Sequence, residues 1–249
     1  MQILLTNDDG IFAPGLAAIY RELVKLGDVT VAAPAEGQSG ASHRITLNNP
    51  LLCKKVTIND QFTGYSIAGS PADCVKLAVI ELCQKPIDLL VSGINSGANA
   101  GVNVYYSGTV AAAMEGAFLN IPSVAMSLTF EHEQKMDFTR AADYCVQTIK
   151  KLMPVQPGCV LNINIPRLSK GAPKGVRVVP QATSGYEECY IKEHEADGES
   201  FYSFSGQNNR EEDTQTDVLS LMEGFITVTA LTADMTDHKK TAELKNIKW

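Results

Sequence analysis

A chain of 249 residues, 45% of them hydrophobic, carries enough apolar material for one large α/β domain or for a core with a sizeable appendage. Its formal net charge of −7 argues against a surface that gathers nucleic-acid polymers, so an anionic substrate needs a local trap. No apolar run approaches the ~20 residues of a membrane span, and Met1 runs straight into a strand without the pattern of a signal peptide. The six cysteines, at 53, 74, 83, 145, 159 and 189, show neither C-x-x-C nor zinc spacing. Cys74, Cys83 and Cys145 fall within predicted helices, where buried thiols are expected. A reduced, cytoplasmic protein is the expectation.

The first strand is Gln2–Thr6, a short apolar run cut off by Asn7-Asp8-Asp9-Gly10. Neighbouring side chains on a regular strand face opposite ways, so two adjacent aspartates share a ligand only if the backbone turns, which Gly10 permits. The turn lies off the carboxyl end of the strand, where open α/β sheets bind ligands. Two carboxylates that close repel unless a cation sits between them, and hard oxygen donors suit Mg²⁺ or Mn²⁺. The competing reading is turn chemistry alone, because Asn, Asp and Gly favour turns anyway.

Residues 14–26 carry a helical apolar stripe stopped by Gly27, and residues 28–33 form the second strand. Strand, helix and strand in succession predict a βαβ unit and a parallel sheet. Residues 36–47 follow, rich in Gly and Ser, on the same sheet edge as Asp8 and Asp9. Ser39 there is either a metal or phosphate ligand or part of a flexible small-residue loop.

Residues 51–58 and 62–67 read as a hairpin-like pair of strands. Ser70-Pro71-Ala72-Asp73 is a well-formed helix start, and the helix is expected to run to Leu82 with Lys76 solvated. Residues 88–92 form another buried strand, and the loop 93–101 returns to the ligand edge. It is neither a Walker A loop nor a dinucleotide fingerprint, but it offers Asn95 as a neutral oxygen donor past a strand end. Ser107, Gly108 and Thr109 precede an alanine-rich helix over 110–119. Free N–H groups and the dipole favour an anion there, unless Ser107 or Thr109 only caps the helix.

A strand over 123–128, a long amphipathic helix over 136–153 and a strand over 160–165 close the core. Residues 176–181 form a strand, and residues 186–204 alternate around Asp197-Gly198, a favoured hairpin turn. A polar acidic stretch over 207–215 and a strand over 225–231 follow. Residues 234–249 are charged and end in a lone tryptophan, Trp249, which suggests docking. The fold expected is α/β, with a Rossmann-like, doubly wound, mostly parallel sheet over 1–170 and an antiparallel hairpin appendage over 171–249.

The motifs Thr6-Asn-Asp-Asp-Gly10, Ser39-Gly-Ala-Ser-His43, Gly69-Ser-Pro-Ala-Asp-Cys74, Ser92-Gly-Ile-Asn-Ser-Gly97 and Tyr106-Ser-Gly-Thr-Val-Ala-Ala-Ala-Met-Glu-Gly116 occur in fixed order. With Asn162-Ile-Asn-Ile-Pro166, Thr216-Asp217 and Glu223-Gly-Phe225, they make the chain resemble the SurE family of survival-protein nucleotidases. The likeness is weakest over 181–215.

The resemblance implies a metal-dependent phosphatase, a 5′-nucleotidase that also removes 3′-phosphate from nucleoside monophosphates and sometimes attacks short polyphosphate. It implies one divalent metal ion held by Asp8, Asp9, Ser39 and Asn95. Substrate phosphate falls to Asn95, Asn99, Ser107, Gly108 and Thr109, with Asp8 or Asp9 as base or nucleophile. It further implies a homodimer or homotetramer that exchanges carboxyl-terminal segments, while His43 and Arg44 lie where the family varies. A non-catalytic nucleotide-binding regulator on the same fold is the alternative. A haloacid-dehalogenase-type phosphotransferase fits less well, because its two acids are separated by one residue and these are adjacent.

Overall fold

The computed structural model describes residues 1–58, 61–130, 136–183, 186–196, 199–208 and 215–247. β1 (Gln2–Thr6) is apolar on both faces and lies inside the sheet, with Ile3 and Leu5 packed in one core layer and Leu4 in the other. It is followed by α1 (Pro14–Leu23), β2 (Asp28–Pro34), β3 (Cys53–Ile58), β4 (Phe62–Ile67), α2 (Pro71–Leu77) and β5 (Leu89–Ser96). The second half of the fold holds α3 (Gly108–Phe118), β6 (Ser123–Leu128), α4 (Phe138–Leu152), β7 (Val160–Ile165) and β8 (Val176–Val178). β9 (Tyr186–Ala196), β10 (Glu199–Asn208), α5 (Asp217–Met222), β11 (Ile226–Leu231) and α6 (His238–Leu244) complete the order.

Among the described residues a nine-stranded sheet runs β3-β4-β2-β1-β5-β6-β7-β11-β8, and β9 pairs with β10 in a separate two-stranded sheet. From β1 the chain moves outward through β2 on one side and returns to build β5, β6 and β7 on the other, all parallel to it. The order therefore reverses between β1 and β5, and the crevice outside their carboxyl ends is where such sheets take ligands. α1 and α4 supply side chains to the core on one face, and α2 and α3 to that on the other. The doubly wound, mostly parallel α/β architecture is thus the one expected. β11 enters antiparallel between β7 and β8. No described helix is long and apolar enough to cross a membrane.

Several local expectations need correction. β5 continues through Ser96, where a loop from Gly93 was expected. Its pairing with β6 shifts between Ser92 and Asn95, three steps on β5 against two on β6, so the strand carries a bulge. α2 ends at Leu77 and passes into a wider π turn over Ala78–Leu82, leaving Cys83 half-buried beyond the helix, whereas Cys74 and Cys145 are buried as expected. α5 and α6 are helices that the pattern did not disclose. Asp197, Gly198 and Trp249, to which the turn and the docking expectation belong, lie outside the described residues.

Candidate active site

The turn after β1 is locked from within. Asn7 Nδ2 donates to the Gly10 carbonyl at 2.9 Å, and Gly10 takes φ +102, which a residue with a side chain rarely adopts. Ile11 N–H donates to the Pro34 carbonyl at 2.8 Å and Gln38 N–H to the Asp8 carbonyl at 2.7 Å, so β1 and β2 deliver their ends to one place. This brings in the segment that carries Ser39, whose residue is left exposed. Beyond Ser39 the segment is latched in several places. Ser42 donates through N–H to Tyr106 O at 3.1 Å and through Oγ to Tyr105 O at 2.8 Å, and Thr46 donates twice to Asp73.

Asp8 is 5% exposed and lies against the start of α3. Thr109 Oγ1 donates to Asp8 Oδ1, and a Cβ added to Gly108 would stand 2.9 Å from Asp8 Cβ. Asp9 is less buried and accepts the Ser96 N–H at 2.9 Å, which joins it to the end of β5. Beside Ser96, Asn95 donates through Nδ2 to the Gly97 carbonyl at 2.7 Å, which orients its amide and leaves Oδ1 as the acceptor. The structure thus gathers Asp8, Asp9, Gly108 and Thr109, with Asn95 next in the chain to the Ser96 N–H that Asp9 accepts.

Ser107 caps α3, its Oγ accepting from Val110 N at 3.1 Å. Asn99 is held from below: its N–H donates to Asn164 Oδ1 at 2.8 Å and its Nδ2 to Ser127 Oγ at 2.8 Å. Two roles escaped the sequence. Lys76 keeps its side chain 45% exposed, as expected, yet its Nζ also lies 3.0 Å from Oε1 of the buried Glu115. His43 approaches the other oxygen of Glu115 at 2.9 Å and stacks on Phe118, fastening the Ser39 segment to α3. Burial pushes Glu115 up, but its hydrogen bonds and charge contacts with His43 and Lys76 together hold it below its ordinary value. No spacing rule would have paired these residues across three elements.

Burial raises the Asp8 carboxyl to about 6, and the charge of Asp9 adds to this while the Thr109 hydroxyl opposes it. Asp9 is raised as well, by burial first. Among the described residues neither carboxylate pairs with Lys, Arg or His, and Asn7 Oδ1 is a buried acceptor without a partner. No three His, Cys, Asp or Glu side chains gather as ligands among those residues. What remains is two carboxylates with neutral oxygens nearby, a hard donor set that fits a divalent cation.

The raised Asp8 value has a consequence for stability without divalent ions. The folded state holds the proton more tightly than the unfolded state, so this contribution is complete below the ordinary value of 3.8 and is lost as pH rises through about 6. The difference corresponds to about 3 kcal/mol. In chelator, the melting temperature of Asp8→Asn should therefore gain on that of the parent between pH 4 and pH 7. A constant difference across that range would contradict the assignment of strain to Asp8.

The family model described as survival protein SurE matches residues 3–188. The chain is 41% identical over 246 residues to the 5′-nucleotidase SurE of Chlorobaculum tepidum, covering 98% of this chain and 93% of that one. It is 42% identical over 250 residues to the 5′-nucleotidase SurE of Rhodopirellula baltica, covering 99% and 98%. Among solved structures, the SurE protein from Aquifex aeolicus superposes with a TM-score of 0.84 at 38% identity, over 98% of each chain.

Proposed function

This chain belongs to the survival protein SurE family and is a 5′-nucleotidase, and on that premise we propose that the crevice between β1 and β5 is its active site. The observation that supports it most is the adjacent pair of carboxylates at the topological switch point, Asp8 buried and Asp9 half-buried, neither paired with a basic side chain among the described residues. Asp8, Asp9, Ser39 and Asn95 would hold one Mg²⁺ or Mn²⁺ ion. The chemistry supplied by such an ion is charge to offset the phosphate and polarisation of its P–O bonds.

The protein's own groups do the rest. Asn95, Asn99, Ser107, Gly108 and Thr109 surround the substrate phosphate, with the dipole of α3 opposing its charge as the ester bond breaks. Thr109 holds Asp8 in place through its hydroxyl. Either aspartate acts as base or nucleophile. Substrates are nucleoside 5′- and 3′-monophosphates, and short polyphosphate follows from the same anion-binding chemistry.

In this reading residues 1–170 form the metal- and phosphate-binding core and residues 171–249 serve oligomerisation, with β8 and β11 built into the core sheet. Tyr190, Ile191, Phe201 and Tyr202 of the β9–β10 pair are each more than half exposed, and α6 buries no residue. A two-stranded hairpin is marginally stable alone in water, so these surfaces call for a second copy, giving a homodimer or homotetramer. A monomer by light scattering at micromolar concentration would remove that part of the reading.

The deciding assay is phosphate release from a panel of nucleoside monophosphates. Release should require Mg²⁺ or Mn²⁺ and stop in chelator. Tight nucleotide binding with no release under any metal would favour a non-catalytic regulator instead.

A further inference from the structure

The segment that leaves β5 past Asn95 and carries Asn99 is held largely by side chains from distant parts of the chain. Asn162 Nδ2 and Asn164 Nδ2, both from β7, donate to the Asn99 carbonyl at 2.7 and 3.2 Å. Two residues further on, Gln181 Nε2 donates to the Gly101 carbonyl at 2.9 Å. Gly101 N–H donates to Asp217 Oδ2 at 2.9 Å, across 116 residues of sequence. Gly101 takes φ +59, and a Cβ there would meet Val218 Cγ2 at 3.0 Å, so the close seat of this backbone on α5 requires glycine.

Asp217 is fully buried and its carboxylate receives three main-chain N–H groups. Oδ2 takes Gly101, while Oδ1 takes Ala182 at 2.9 Å and Val218 at 2.8 Å. Such a buried charge is stable only when its hydrogen bonds are complete. Ala182 lies just before β9, and Asp217 follows β10, so one carboxylate ties both roots of the hairpin to the active-site loop.

We propose that Asp217 is a positioning residue for the nucleotidase reaction, fixing Gly101, and through it Asn99 and Asn95, against the hairpin roots. The inference rests on the assignment of those two asparagines to the substrate site. It makes the seat of the hairpin and the fit of the phosphate parts of one arrangement.

The test uses the full-length protein with its divalent ion and AMP as substrate. Asp217→Asn keeps the shape but has one acceptor oxygen where three N–H groups need two, so its amide N–H₂ must face either Gly101 or the Ala182–Val218 pair. Gln181→Leu removes the second tie to Gly101 from a half-buried position. Each variant should raise KM about tenfold or more, as one lost hydrogen bond to a charged or buried group would, while kcat changes by less than about threefold.

KM within about twofold of the parent in Gln181→Leu and in folded Asp217→Asn, with only the melting temperature lowered, would overturn the proposal. Should Asp217→Asn fail to fold, Gln181→Leu decides alone. Asp8→Asn run beside them keeps the two levels apart. Its inactivity with unchanged KM in the other variants sinks only the role of Asp217, whereas its full activity sinks the site itself.

Discussion

Asp8→Asn and Asp9→Asn should each lower phosphate release from a nucleoside monophosphate by at least about a hundredfold, roughly 3 kcal/mol in the barrier. Each substitution removes one of the two negative charges proposed to hold the divalent ion, with almost no change in volume. The fold should survive, for reasons that are local. Asp8 already resists ionisation through burial and the charge of its neighbour, so a neutral amide relieves a cost. An amide oxygen can still accept from the Thr109 hydroxyl at position 8, or from Ser96 N–H at position 9. The check is steady-state kinetics at saturating Mg²⁺ and Mn²⁺ beside a thermal melt. Near-normal turnover in both variants would remove these aspartates from the site.

Gly93→Ala is expected to have the largest effect on the fold. Gly93 sits in the β5 bulge at φ +141, and a Cβ there would stand 2.4 Å from the Met126 carbonyl oxygen and 3.1 Å from Met126 Cβ. Met126 cannot retreat, because β6 is bonded to β5 on one side and β7 on the other and its side chain is fully buried. The strained dihedral and the collision add, so a loss of about 3 kcal/mol or more is expected. Asn95 is two residues on, so activity should fall in whatever soluble protein remains. A variant melting within about 2 °C of the parent would show that the bulge yields easily.

The central strands were legible in the sequence because β1, β5, β6 and β7 are buried on both faces, and that demands apolar runs whatever the partners are. Asp8 and Asp9 stood out for a related reason, since two acids at the abrupt end of such a run need an explanation. The continuation of β5 was hidden because Gly93-Ile-Asn-Ser96 has the composition of a loop, and only pairing with β6 keeps it extended. Lys76 read as a solvated helix lysine and His43 had no assigned role, because Glu115, their shared partner, lies on a different helix. Asp217 was visible within a motif, but its contacts to Gly101 and Ala182 are long-range hydrogen bonds that no local periodicity encodes.

The strand order bears on how this chain is made. β8 pairs only with β11 within the nine-stranded sheet, yet β11 begins at Ile226, well after β8 ends at Val178. At about 5–20 residues per second, a ribosome takes several seconds to deliver the partner that β8 awaits. Meanwhile the outer edge of β7 stays unpaired, an open template for another nascent chain. Asp217 also emerges in that interval, long after the aspartates and the loop it is to hold. Asp8 and Asp9 therefore leave the ribosome early and their proposed clasp late, and a chain stalled before residue 217 would carry the acids without it.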